Sequence, residues 1–347
     1  MTRILGIETS CDETAVAVVR DGRCIEANVI ASQTDLHARY GGIVPEQASR
    51  AHLRAIVPAL NEALAQAQAD WDTLDAIAVT YGPGLAGALL VGLNVAKGLA
   101  FARGKPLLGI NHLEGHVYAN WLETDSNAPT PEPGFPLVAL VVSGGHSDLV
   151  LSDEHGRYVR LGRTRDDAAG EAFDKVARML GLGFPGGPEI ERAAQAGDPM
   201  RFAFPRAWLE PDSWDFSFSG LKTAVLHQVR ALGVDPEALP PAERTARLPV
   251  ADLAASFQAA VVEVLATKAA RAAAAFGAGQ LALGGGVAAN QSLRREVEER
   301  AQLPVLCPPP RLCTDNGAMI AAAASFRYRA GQRHGLELDI QPSMPLA

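Results

Sequence analysis

The same device opens two stretches of this chain, and that repetition limits the possible folds more than any other feature. Residues 4–7 (Ile4-Leu5-Gly6-Ile7) form an apolar run and cross a polar turn, Glu8-Thr9-Ser10-Cys11-Asp12-Glu13-Thr14. The chain then returns as a second apolar run over 15–19. Residues 137–142 repeat the pattern, turning through Ser143-Gly144-Gly145-His146-Ser147 and returning over 148–151. Short apolar runs around small-residue turns read as strand hairpins. Two copies suggest duplicated lobes, with turns of Ser, Thr and Gly that offer backbone N–H groups to phosphate across a shared cleft; the alternative is a coincidence between two short hairpins.

A chain of 347 residues exceeds the size at which one hydrophobic core stops growing, so two domains are expected. Between the copies, residues 124–136 carry four prolines and no apolar periodicity. The boundary is placed there. It gives an N-terminal lobe over 1–125 and a C-terminal lobe over 126–347, with the terminal helix able to pack back on the first lobe. Helical periodicity is expected over 45–67, kinked or broken at Pro58, and over 88–102, 165–180, 189–196, 251–276, 291–300 and 318–329. Further strands are expected at 24–30, 75–79, 107–110, 280–283 and 303–306. Residues 235–249 read as a connector and 308–314 as a loop.

One short segment follows a strand: Asn111-His112-Leu113-Glu114-Gly115-His116-Val117-Tyr118. Histidines four apart on a helix share a face, about 6 Å between Cβ atoms. Two imidazoles can grip a divalent ion but do not complete a site. The best third ligand is Asp315, in Cys313-Thr314-Asp315-Asn316-Gly317, an acidic turn before an alanine-rich helix. The competing reading is two half-buried helix residues that cap carbonyls or touch solvent. A zinc protease places its glutamate base directly after the first histidine. Leu113 stands at that position here, which weakens the protease reading.

Gly284-Gly285-Gly286 lies between a strand and a helix, where a nucleotide can approach bare backbone and a helix N-terminus. The alternative is a tight turn that binds nothing. Asn290 either reaches a base or ribose or caps the next helix. Neither a Walker A sequence nor a dinucleotide fingerprint is present. Glu8, Asp12 and Glu13 cluster in the first turn, where carboxylates beside phosphate repel unless a metal or a proton intervenes. Cys11 has no activating neighbour in sequence and is given no covalent role.

Charge and cysteine content narrow the setting. A net charge of −8 disfavours non-specific nucleic-acid binding through bulk charge. Arg157, Arg160, Arg163 and Arg165 form a local cluster, and Arg294-Arg295 a pair, each read first as a solvated face. Cys11, Cys24, Cys307 and Cys313 form no C-x-x-C pair and read as free thiols of a reducing compartment. No run of eighteen apolar residues and no signal peptide are apparent, so a cytoplasmic location without membrane attachment is expected.

Taken in order, Gly6 to Thr14, the His112/His116 pair, Ser143-Gly144-Gly145-His146, Gly170-Glu171-Ala172-Phe173-Asp174-Lys175, Asp215-Phe216-Ser217-Phe218-Ser219-Gly220-Leu221-Lys222-Thr223, Gly284 to Asn290 and Cys313 to Met319 resemble the tRNA N6-adenosine threonylcarbamoyltransferase family. These seven collinear motifs span nearly the whole chain. The resemblance implies an α/β fold with two ribonuclease H-like lobes of the actin-like ATPase superfamily around a central cleft. It implies transfer of a threonylcarbamoyl group from L-threonylcarbamoyladenylate to N6 of adenosine 37 in tRNAs reading codons that begin with A. It carries over His112, His116 and Asp315 as ligands of one divalent metal, iron by expectation, with zinc or magnesium in vitro. It carries over Val141, Val142, Ser143, Gly144, Gly145, Asp174, Gly187, Glu191 and Asn290 as donor-binding residues. Glu8 and Asp12 remain open as the general base. Implied partners are tRNA, a paralogous lobe-paired protein and a small ATPase. The alternatives are an actin-like ATPase or kinase, a metalloprotease, and a non-catalytic assembly subunit.

Overall fold

The computed structural model describes residues 1–123, 133–210 and 212–346. It contains two mixed five-stranded sheets of identical topology. In the first, β1 (Arg3–Glu8), β2 (Glu13–Arg20) and β3 (Cys24–Ser32) run antiparallel. On its other side β1 pairs in parallel with β4 (Ala76–Gly82), which pairs with β5 (Leu107–Asn111), giving the order β3-β2-β1-β4-β5. In the second, β6 (Leu137–Val142), β7 (Ser147–Glu154) and β8 (Arg157–Arg163) run antiparallel. There β6 also pairs with β9 (Gln280–Gly284), and β9 with β10 (Val305–Leu306). The repeated hairpin of the sequence is the first strand pair of each sheet.

The helices are α1 (Thr34–Ala38), α2 (Pro45–Gln66), α3 (Ala86–Arg103), α4 (His112–Tyr118), α5 (Ala169–Leu180), α6 (Gly186–Ala194), α7 (Ser219–Ala231), α8 (Pro241–Arg247), α9 (Val250–Ala275), α10 (Gln291–Arg300), α11 (Pro310–Cys313) and α12 (Gly317–Arg329). They build layers, because alternate strand residues face opposite ways. Leu5 and Ile7 of β1 face a core with Ile56 and Leu60 of α2 and Leu93 of α3. Ile4 faces a second core, shared with Leu113 and Val117 of α4, Ile320 of α12, and Ala139 and Val141 of β6. That shared layer joins the two sheets and contains the histidines. The opposite face of β6, through Val138 and Leu140, joins Phe173 of α5 and Phe257 of α9 in a third core. Both α3 and α9 are long and apolar enough to cross a membrane. In the case of α9, Leu253, Phe257, Val261 and Leu265 are buried in that third core.

Several local expectations are corrected. Helix α2 runs unbroken through Pro58. Positions 58 and 54 are both exposed, so the carbonyl that loses its N–H partner lies on the solvent side of the helix. The helix expected over 165–180 begins only at Ala169, because Asp166 is drawn away to accept hydrogen bonds from Phe218 N and from Ser217 and Ser219. Strand β8 and the short helices α8 and α11 were not anticipated. The expected boundary over 124–136 lies largely outside the described residues. Cys11, Cys24, Cys307 and Cys313 are free thiols.

Candidate active site

Two helix starts bring three side chains to one point. Helix α4 begins directly after β5 because the Asn111 side chain accepts hydrogen bonds from Leu113 N (2.9 Å) and Glu114 N (3.4 Å). Every residue of this short helix is buried. His112 and His116 therefore stand on one face, ring centroids 4.7 Å apart and nearly perpendicular. Helix α12 is capped by Asn316, which accepts from Met319 N at 2.9 Å and donates to Thr314 O at 2.8 Å, fixing the turn around Asp315. The helix lies directly on the sheet because Gly6 and Gly317 present no side chain at the contact. Asp315 Oδ1 is thereby held 3.5 Å from His112 Nε2 and 3.2 Å from His116 Nε2.

One ligand atom from each of the three residues lies within 4.8 Å of the others. His116 is buried, and neither of its ring nitrogens has a hydrogen-bond partner. Its Nε2 is near Asp315 but off the line of a hydrogen bond. An unpartnered buried nitrogen is costly, and a divalent ion accepting two imidazole nitrogens and one carboxylate oxygen removes that cost. Asp315 keeps 19% of its side chain exposed, so an ion here would stay open on one side to solvent. The residues present fit a divalent metal.

The surrounding charges set the protonation of the cluster, and a bound ion would displace the His112 proton. Burial disfavours a charged His112, but Asp315 and Glu8 outweigh it and raise the ring to about 9. In His116 burial prevails and the pKa falls. Burial pushes the Asp315 carboxyl up, yet the histidines prevail and bring it to about 2. His146, in the turn of the second lobe, is lowered to about 4 by burial and by the charges of His112 and His116.

The two open base candidates separate here. Glu8 is fully buried, accepting from Ser10 N and Thr80 Oγ1, each at 2.5 Å, and lying 3.1 Å from His112 Nδ1. It orients the His112 ring, a role that metal-bound histidines commonly assign to a carboxylate. Asp12 is half-buried; burial and then Asp315 raise its pKa, and its charge also reaches Asp174 in the second lobe. Glu114 is bonded to Arg327 (2.7 Å) and Tyr158 (3.3 Å), so it is not available as a protease base.

The residues expected to hold a donor line the second lobe. Val141 and Val142 end β6, and Ser143 N donates to His146 O at 2.8 Å, closing the turn. Among the described residues the N–H groups of Gly144 and Gly145 make no hydrogen bond, and an added Cβ on either would meet nothing within 4 Å. Asp174 accepts from Gly186 N at 2.7 Å, and Gly187 borders open space. Gly284 and Gly285 pack on His116 and Val142, tying the glycine run to α4 and β6. Asn290 is occupied: its Oδ1 caps α10 at Leu293 N (2.9 Å) and its Nδ2 donates to Gln258 (2.7 Å). Glu191 accepts from Gln291 N at 2.7 Å beside it. Sequence reasoning missed Ser10, whose Oγ lies 3.1 Å from His112 Nδ1, together with Thr80 and His146. Asn316 had a signal, since Asn before a helical run is a capping signature; Thr80 had none.

Fold and site together define a class: an α/β protein built on two sheets of the same topology, with a His-His-Asp cluster between them. Component A of the Acidaminococcus fermentans (R)-2-hydroxyglutaryl-CoA dehydratase shares the fold over 95% of this chain and 100% of its own, at TM-score 0.51 and 15% identity. HypF of T. kodakarensis does so over 95% of this chain and 48% of its own, at TM-score 0.58 and 15% identity. The sequence model described as tRNA N6-adenosine threonylcarbamoyltransferase matches residues 24–322. Proteins of that name from Thermomicrobium roseum and Bacillus cereus are 60% and 53% identical over 99% of this chain, and over 96% and 97% of their own length. The chain belongs to the tRNA N6-adenosine threonylcarbamoyltransferase family.

Proposed function

We propose that this chain transfers the threonylcarbamoyl group of L-threonylcarbamoyladenylate to N6 of adenosine 37 in tRNAs reading codons that begin with A, releasing AMP. One juxtaposition supports this reading best: His112, His116 and Asp315 gathered at one point, with the glycine run after β9 packed on both His116 and Val142, where the small-residue turn of the second lobe begins. An ATPase or kinase has no use for that cluster, and a protease lacks its base.

His112, His116 and Asp315 hold one divalent ion, iron in the cell and zinc or magnesium in vitro. When bound it supplies Lewis-acid polarisation of the carbamoyl carbonyl. Gly144 and Gly145 direct unspent N–H groups at the phosphate of the leaving AMP. Val141, Val142, Ser143, Asp174 and Gly187 shape the donor seat, and Glu191 and Asn290 hold the α10 start that borders it. The N6 amine attacks the carbonyl carbon, the bond from that carbon to the phosphate oxygen breaks, and the amine loses a proton. Asp12 is the better-placed acceptor for that proton, since Glu8 is committed to His112. An adenosine amine is a weak nucleophile, so positioning supplies most of the acceleration.

The lobes divide as 1–125 and 126–347, with α12 serving the first. The chain works in the cytoplasm with a paralogous lobe-paired protein and a small ATPase. Nucleoside mass spectrometry of tRNA incubated with the adenylate and these partners tests the reading. His112→Ala/His116→Ala and Asp315→Ala are expected to lose modification while keeping the wild-type circular dichroism spectrum. Normal modification by the double variant refutes the metal seat.

A further inference from the structure

Strand β8, at the edge of the second sheet, carries arginines that the chemistry above does not use. Strand side chains alternate, so residues three apart ordinarily point to opposite faces. The ladder with β7 slips here: Asp148 pairs with Arg163, Leu149 with Gly162, and Val150 with Arg160, leaving Leu161 as the extra residue of a bulge. Asp148 and Val150 share a face of β7, so Arg160 and Arg163 share it as well. Val150 belongs to the core between the sheets, whereas Leu149 belongs to the outer core of the second lobe. Tyr158, opposite Ser152, continues the row, and its hydroxyl donates to Glu114 of α4. The bulge thus places Arg160 and Arg163 on the face of the sheet that carries Val150 and the core between the sheets.

The row leads to the site. Thr164 N donates to Ser147 O at 2.9 Å, and Ser147 closes the small-residue turn that leaves β6 at Val142, on which Gly285 packs while Gly284 packs on His116. Arg160 and Arg163 are exposed, and among the described residues their side chains make no salt bridge or hydrogen bond. Their neighbours are spent: Arg157 pairs with Glu154, and Arg165 with Glu210 and Asp215. The acid facing the row is Asp148, which is buried and feels both guanidiniums. In a chain of net charge −8, two exposed arginines on one face with only a buried aspartate between them call for an anionic occupant.

We propose that Arg160 and Arg163 hold backbone phosphates of the RNA acceptor beside the nucleotide that enters the cleft. The proposal rests on the reading of tRNA as substrate. A guanidinium fork grips phosphate oxygens bidentately, and phosphate contacts fix register and affinity without reading sequence. The two residues lie opposite positions two apart on β7, roughly 7 Å along the strand, a spacing suited to successive phosphates of one strand. An acceptor base must come from an unpaired loop, whose backbone phosphates stay accessible to such a row.

The test compares the full-length wild-type chain with Arg160→Gln/Arg163→Gln and Arg160→Lys/Arg163→Lys, measuring tRNA binding across salt concentrations and steady-state modification in the presence of the adenylate and partners. The Gln pair is expected to lower the slope of log affinity against log salt by about two units, one per phosphate. It should also raise KM for tRNA at least about tenfold while leaving kcat at saturating tRNA within about twofold. The Lys pair, which keeps the charge, should restore most of the slope. An unchanged slope and KM overturn the proposal, as does a fall in kcat alone. Weakened association with a partner protein at unchanged tRNA binding overturns it too, and makes the row a protein interface. A wild-type chain that binds tRNA without modifying it sinks the assigned activity, while the slope still decides the arginine row.

Discussion

Replacing Gly6 with alanine tests whether the seat of Asp315 depends on how closely α12 lies on β1. A Cβ at position 6 would collide with Gly317 O and stand 2.7 Å from Ala321 N and 2.9 Å from the Ala321 Cβ. Ordinary contact begins near 3.4 Å, so α12 must retreat by at least 3.4 − 2.7, about 0.7 Å. Two of the obstructing atoms are backbone, and no rotamer change relieves them. Overpacking of this kind costs about 1–3 kcal/mol. Asp315 moves with the helix, because Asn316 caps α12 and holds the turn. Metal sites tolerate only about 0.2 Å of error in ligand distance, so divalent affinity should fall on the order of 10- to 100-fold, as when a supporting group is lost. Chelator competition with zinc or cobalt measures the affinity, and urea unfolding the stability. Gly144→Ala is the control, since its Cβ meets nothing within 4 Å and should leave metal binding unchanged. A folded Gly6→Ala chain with wild-type affinity would refute the idea that this contact sets the third ligand.

Two further outcomes follow from the same structure. Burial raises the Glu13 carboxyl from 4.5 to about 7, so the native state binds its proton more tightly than the unfolded chain does. Its ionisation penalty is absent below pH 4.5 and grows as pH rises through 7. Glu13→Gln should therefore gain stability over wild type between pH 5 and pH 8 in thermal unfolding, and a difference independent of pH contradicts that account. Asn290→Ala removes the α10 cap and leaves Gln258 Oε1 without its donor, at a cost of about 0.5–2 kcal/mol. An unchanged urea midpoint would mean the cap contributes nothing in solution.

The duplicated hairpins were legible because each is local: an apolar run, a small-residue turn and its return fix strand pairing over a few residues. The same holds for α4, whose histidines share a face by helical spacing, and for the long alanine-rich α9. Pro58 and the helix start at 165 misled because solvent at Arg54 and the distant partners of Asp166 decide those points, and local propensity carries neither. Strand β8 was hidden for a related reason. Its arginines read as a solvated run, and only pairing with β7 makes it a strand and its bulge a device that turns Arg160 and Arg163 to one side.

By itself the sequence determined the two-lobed α/β design, the histidine face and the candidate aspartate, since these follow from periodicity, spacing and ordered motifs. It took long-range packing to bring Asp315 to both rings, to set Glu8 against His112, and to commit Asn290 to a helix cap. Those outcomes depend on contacts between residues as far apart as Gly6 and Gly317, and on burial that removes water from Glu8 and His116. Neither distance in space nor loss of solvent is written in the order of residues; both arise when α12 closes onto the first sheet.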